Sequence, residues 1–253
     1  MKVNYRVDGP EGAPVLVLSN SLGTDLQVWS RNIEHWLGSF RVVRYDVRGH
    51  GGSAVSEEPF GIDDLGRDVV GLLDELAVAR ASFCGLSLGG AIGQWLAAAE
   101  PSRIDRLVLA CTTARFGEPE HWLDRARRVR AEGLEAIADS VLDRWFTSGL
   151  PESDVAGFRD MLLATPAEGY AATCEALSRW DFRERVREIE TPTLVIVGGD
   201  DPVTAPSDVE LLVAGIPDAR LVVLDGAAHL ANVERPDAFA AAVSEHVALQ
   251  EAA

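Results

Sequence analysis

Ser87 stands between two glycines in Gly85-Leu86-Ser87-Leu88-Gly89, a G-x-S-x-G run. The run closes the apolar stretch Ala81-Ser82-Phe83-Cys84 and opens onto a helix-compatible segment, Gly90 to Ala99. Strand, sharp turn and helix in that order push a serine hydroxyl out of the backbone as a nucleophile, at a turn so crowded that only small residues fit beside it. The bare pattern is a weak signal, which the preceding strand, the following helix and the extra Gly90 strengthen. A serine hydroxyl attacks a carbonyl only if a base takes its proton and a carboxylate orients that base.

Three histidines follow Ser87 in the chain: His121, His229 and His246. His229 comes after the run Leu221-Val222-Val223-Leu224 and a short loop, Asp225 to Ala228, which brings an imidazole to the sheet edge that carries Ser87. His121 falls in a helical stretch and His246 in a C-terminal helix. The carboxylate should follow the preceding strand, in Gly198-Gly199-Asp200-Asp201-Pro202. Neighbours in a loop point in different directions, so Asp200 and Asp201 compete. Asp225 is an outside candidate, too near His229 in sequence to reach round it. A tetrahedral intermediate needs two backbone donors. One is the amide of Leu88. The other is that of Leu22, in the loop Asn20-Ser21-Leu22-Gly23 after the strand Val15 to Leu18, and its position places Asn20 and Ser21 at the site as well. His50, in Arg48-Gly49-His50-Gly51, precedes Ser87 on a tight turn and reads as structural.

These groups must be positioned by the elements between them. Continuous apolar runs at Val15–Leu18, Phe40–Asp46, Ser82–Leu86, Leu107–Ala110, Leu194–Val197 and Leu221–Leu224 read as strands of a parallel sheet covered on both faces. Amphipathic helices separate them, such as the one carrying Ile62, Leu65, Val69, Leu72 and Leu76 on one face. The fold class is α/β: a mostly parallel central sheet with helices on both faces. The alternation breaks between Gly117 and Glu190, where every stripe is helical. Residues 1–116 and 191–253 are expected to form the core and 117–190 a helical cap inserted at a strand end, where ligands bind in such sheets.

With 253 residues, 47% of them hydrophobic, the chain can build a large core, and no apolar stretch is long enough to span a bilayer. No signal peptide is apparent at Met1–Val7, and the last residues, 249–253, are expected to fray. Cys84, Cys111 and Cys174 are widely spaced in apolar contexts, which suggests reduced thiols in a cytoplasmic protein. No Cys/His spacing suits a metal. A net charge of −17 argues against nucleic acid and anionic membranes as partners. It also means that an anionic substrate would need a local positive group.

Over essentially its whole length the chain resembles the α/β-hydrolase superfamily, and more narrowly the 3-oxoadipate enol-lactonases of bacterial aromatic degradation. The resemblance is carried by Leu18-Ser19-Asn20-Ser21-Leu22-Gly23-Thr24, Arg44 to Gly51, Phe83 to Gly90, Gly93-Gln94-Trp95-Leu96, Arg144-Trp145-Phe146-Thr147, Gly169-Tyr170-Ala171-Ala172 and Ala227-Ala228-His229-Leu230. It implies a Ser87–His229–Asp201 triad, because the spacing from strand end to acid in this fold favours Asp201 over Asp200. It also implies an oxyanion hole from Leu22 and Leu88, hydrolysis of a small anionic lactone or ester through an acyl-enzyme, and no metal or organic cofactor. Arg144 would bind the substrate carboxylate and Trp145 would wall the ring. Arg125, Arg127, Arg128 and Arg130 share one helix and read as a solvated face. A monomer or small homo-oligomer is expected. The alternatives are another carboxylesterase or lactonase, a C–C bond hydrolase, or a non-catalytic ligand receptor on the same fold.

Overall fold

The sheet is built from seven strands: β1 (Tyr5–Asp8), β2 (Val15–Ser19), β3 (Arg41–Tyr45), β4 (Ala81–Leu86), β5 (Ile104–Ala110), β6 (Thr193–Gly198) and β7 (Ala219–Leu224). The computed structural model describes residues 3–204 and 206–248, so the C-terminal segment 249–253, expected to fray, lies outside the described residues. Across the sheet the order is β1-β3-β2-β4-β5-β6-β7. β1 runs antiparallel to β3 and every other pairing is parallel. β2 lies between β3 and β4, so the chain leaves its C-terminal end toward one side and returns on the other. That reversal opens a crevice at the strand ends, where α/β sheets bind ligands. The loop after β2 and the turn after β4 both open there.

The helices are α1 (Ile62–Glu75), α2 (Leu88–Ala99), α3 (Pro119–Glu132), α4 (Ala138–Trp145), α5 (Glu152–Ala164), α6 (Ala167–Ser178), α7 (Pro206–Gly215), α8 (Ala231–Glu234) and α9 (Pro236–Ala248). α2 packs on β2, β4 and β5, while α9 packs on β5, β6 and β7. β4 and β6 are buried along their whole length, as strands covered on both faces must be. α3 to α6 lie between β5 and β6 in the chain, with α3 packed on α6 and α4 on α5. Gly133 ends α3 with a φ of 80°, a left-handed conformation that glycine adopts without a Cβ penalty.

Two expectations differ from what is seen. β1 is absent from the apolar runs, because a short edge strand with alternating Tyr5, Arg6, Val7 and Asp8 needs no continuous apolar stretch. β7 does have such a run, yet Leu221 is 43% and Val223 49% exposed. As the last strand of the sheet, β7 lacks the cover that the run implied.

Candidate active site

Ser87 has φ 55° and ψ −107°, a conformation that L-residues rarely adopt. Surrounding packing holds it there. Its N–H donates to the Ala110 carbonyl at 2.8 Å, and its own carbonyl accepts from Gly90 N–H and the Thr112 hydroxyl, both at 2.8 Å. The flanking glycines are needed for a steric reason. A Cβ on Gly85 would strike the Gly89 carbonyl, and one on Gly89 would strike the backbone of Ser19 in β2.

The Ser87 hydroxyl oxygen lies 2.9 Å from His229 Nε2, and His229 Nδ1 lies 3.0 and 3.2 Å from the two Asp201 oxygens. A carboxylate only accepts, so Asp201 requires the proton on Nδ1 and leaves Nε2 free to accept from Ser87. The side chains of His229 and Asp201 are 4% and 0% exposed. Burial pushes the Asp201 carboxyl up. The charge of His229 and hydrogen bonds from His229, Val203 N–H and Thr204 outweigh this and leave it below its ordinary value. Asp200 and Asp225 are exposed, and among the described residues Asp201 is the carboxylate hydrogen-bonded to His229. The three thiols are buried and unbonded to one another, and burial holds Cys174 up to about 12 and Cys84 and Cys111 well above the ordinary thiol value. None of them is a competing nucleophile at neutral pH.

The loop after β2 meets the elbow directly: Gly89 N–H donates to the Asn20 carbonyl at 3.1 Å. Among the described residues, the N–H groups of Leu22 and Leu88 have no protein acceptor, as donors reserved for an oxyanion would. Ser21 and Leu22 line the cavity beside Ser87. Asn20, expected to touch substrate, does not line it. Its amide donates to the Tyr45 carbonyl at 2.8 Å and accepts from Trp29 Nε1 at 2.9 Å, which fixes the loop from behind. His50 is fully buried, with Nδ1 3.1 Å from the Arg48 carbonyl. It belongs to the turn in which Asp46 accepts from Leu26 N–H at 2.7 Å and Gly52 N–H at 2.8 Å.

The cavity over Ser87 and His229 has a volume of about 230 Å³ and takes its outer wall from α3, α4 and α6. Trp145 and Tyr170 supply buried aromatic surface, and Arg144 lines the cavity with no carboxylate partner among the described residues. Of the two acidic neighbours that could have held Arg144 at the surface, Asp139 pairs with Arg159, and Asp143 forms no ion pair with Arg144 among the described residues. Arg125 overturns its sequence reading. Arg127, Arg128 and Arg130 pair with carboxylates on the outside of α3, but Arg125 turns inward, lines the cavity and stacks over Trp122 at 5.0 Å. His121, exposed at the mouth with Nε2 3.5 Å from an Arg125 Nη atom, is held below its ordinary value by partial burial and by the charges of Arg125 and Arg144. Arg115 also lines the cavity, paired at 3.0 Å with Glu118. Asp208 is the one carboxylate among the described lining residues, so three arginines leave the wall cationic on balance in a chain of net charge −17. The sequence held no signal for Arg125 beyond its four-residue spacing from His121.

Among the described residues no group of three or more His, Cys, Asp or Glu is gathered as a metal site, and no helix is long and apolar enough to cross a membrane. A family profile described as alpha/beta hydrolase fold matches residues 14–236. 3-oxoadipate enol-lactonase 2 of Acinetobacter baylyi is 43% identical over 95% of this chain and 91% of its own length. The crystal structure of the enol-lactonase from Burkholderia xenovorans LB400 is similar with a TM-score of 0.94 and 45% identity, over 97% of this chain and 96% of that one. A thermophilic esterase from Thermogutta terrifontis, solved with malate bound, has a TM-score of 0.91 at 28% identity over 97% and 93% of the two chains.

Proposed function

The chain belongs to the α/β-hydrolase fold family, and from that membership we propose that it hydrolyses a small anionic enol-lactone, 3-oxoadipate enol-lactone, to 3-oxoadipate. The observation that carries this reading is the continuous relay Asp201–His229–Ser87, opening into a small cavity whose wall holds two guanidinium groups with no carboxylate partner among the described residues. At about 230 Å³, the cavity is below the ~300–1,000 Å³ of drug-sized ligand sites, which suits a small molecule. The relatives named enol-lactonase and the malate found in a similar esterase support a carboxylate-bearing ligand.

In this reading Ser87 Oγ attacks the ring carbonyl while its proton passes to His229 Nε2. Asp201 holds the imidazole in the required tautomer and stabilises the imidazolium. Leu22 and Leu88 N–H groups bind the oxyanion. Collapse of the tetrahedral intermediate breaks the ring C–O bond, and the leaving oxygen takes the proton from His229. The released enol tautomerises to the ketone. Water then gives a proton to His229 as its oxygen attacks the acyl-enzyme, and Ser87 regains its proton as 3-oxoadipate leaves. Arg144 and Arg125 hold the substrate carboxylate, with Trp145 against the ring and Ser21 beside the nucleophile. Residues 117–190 act as a cap over a core of 1–116 and 191–253. We place the enzyme in the cytoplasm as a monomer or small homo-oligomer, without metal or organic cofactor.

Loss of enol-lactone absorbance, compared with hydrolysis of a neutral phenyl ester, tests the reading. A kcat/KM at least tenfold higher for the lactone supports it. Preference for the neutral ester makes the protein a general esterase, and turnover of neither makes it a receptor.

A further inference from the structure

We propose that Glu234 is a positioning residue, a second carboxylate that holds His229 in place by tying its loop to the inserted helices. The inference rests on the assignment of His229 as the base. Glu234 ends α8 and is half-buried. One carboxylate oxygen accepts from Thr147 N–H at 2.9 Å and from the Thr147 hydroxyl at 2.6 Å, and the other accepts from Ala228 N–H at 2.7 Å. Thr147 lies two residues beyond Trp145 of the cavity wall, and Ala228 immediately precedes His229. On the other side of the histidine, Leu230 N–H donates to the Trp145 carbonyl at 3.0 Å. Both neighbours of His229 are therefore fastened to the segment 145–147, one directly and one through Glu234.

The inner side of the same loop is fastened to the core. Asn232 donates to the Val28 carbonyl at 2.9 Å, and Asn32 donates to the Asn232 carbonyl at 2.9 Å. Upstream, among the described residues, the loop is anchored only through carbonyls: the Asp225 carbonyl accepts from Arg235 Nε at 3.0 Å and the Ala227 carbonyl accepts from Asp200 N–H at 3.0 Å, so the Ala228 N–H beside the histidine depends on Glu234. Hydrogen bonds to an ionised carboxylate are about twice as strong as neutral ones. Without Glu234 the N–H groups of Ala228 and Thr147 lose their acceptor, and the residue before His229 loses its tie to the inserted helices. A displacement of about 1 Å at a reacting group costs on the order of 100-fold in rate. The same strut makes the imidazole's position depend on the seating of α4, so substrate binding under the wall and proton transfer at Ser87 share one mechanical element.

The test is Glu234→Gln in the full chain, which keeps the shape but turns an N–H₂ toward one of the three donors. kcat should fall about 10- to 100-fold on lactone and phenyl ester alike, with KM for the lactone within about twofold because the arginines are untouched. The rate at which a fluorophosphonate labels Ser87 should fall by a similar factor; this reads proton transfer to His229 whatever the natural substrate. Thr147→Val, which removes only the hydroxyl donor, should lower the same rates by a smaller factor and be non-additive with Glu234→Gln. A folded Glu234→Gln protein with unchanged labelling and kcat overturns the proposal, as does a loss confined to KM. If Glu234→Gln does not fold, unchanged rates in Thr147→Val overturn it instead. Failure of the lactonase reading looks different: wild-type protein labels normally but does not open the lactone.

Discussion

Gly169, in the first turn of α6, lies against Gly49 of the tight turn after β3 so closely that a Cβ on Gly169 would strike the Gly49 carbonyl. Backbone meets backbone there, which seats α6 and its neighbour Tyr170 over the crevice. Gly169→Ala should lower stability by about 1–3 kcal/mol, as over-packing does, and should raise KM as the cavity wall shifts. Gly49→Ala should cost more, since Gly49 also has φ 76°, which penalises a Cβ by roughly 1–2 kcal/mol. Thermal unfolding and steady-state kinetics check both. Unchanged Tm in Gly169→Ala would mean that α6 is free to move off the turn.

Ser87→Ala should remove turnover, with a fall of roughly 10⁴ or more, while the fold persists. Ser87→Gly should be equally inactive but more stable by about 1 kcal/mol, because glycine carries no penalty at positive φ. Retained lactone or ester turnover in folded Ser87→Ala rules out Ser87 as the nucleophile.

Asp201→Asn should reduce kcat by about 10⁴, since the amide no longer enforces the Nδ1–H tautomer. Asp200→Asn should change it little, because that side chain is exposed and away from the imidazole. Parallel kcat measurements decide between them, and the reverse ranking would reassign the acid.

Acid should destabilise the fold before the carboxylates protonate. Burial lowers the pKa of both His50 and His246, and for His246 the charges of Arg220 and Arg106 add to it. Below about pH 6.5, the ordinary imidazole value, the unfolded chain binds protons that the folded chain refuses, so stability falls as pH falls. The loss should reach at most about 1.4 kcal/mol per pH unit for each site. His50→Gln and His246→Gln should each flatten the Tm profile between about pH 6.5 and 5. A profile unchanged in both variants would place the acid sensitivity elsewhere.

Arg144→Ala and Arg125→Ala should each raise KM for the anionic lactone roughly tenfold or more, the scale of a charge-assisted hydrogen bond, and leave a neutral ester of similar size little changed. Arg127→Ala, on the same helix but paired outside with Glu120 and Asp124, should affect neither. Equal losses on both substrates would make the two arginines supports of the wall.

The relay was legible in the sequence because its grammar is local. A glycine-flanked serine between strand and helix, an aspartate pair just after β6 and a histidine just after β7 are placed by the few residues around them, and a parallel sheet brings all three strand ends to one edge. What the chain's order alone left open concerns direction. Asp200 and Asp201 are equivalent until the backbone bonds after Gly198 aim one of them at His229. Arg125 and Arg127 differ by only two positions in α3, yet the packing of α3 on α6 turns one into the cavity and the other to solvent. Asn20 looked like a substrate contact until Tyr45 and Trp29, from other elements, claimed its amide. Glu234 carries no motif, because its partners Thr147 and Ala228 meet it only once the inserted helices are seated. Side-chain direction and long-range hydrogen bonding are decided by packing between distant segments, which the tertiary structure alone specifies.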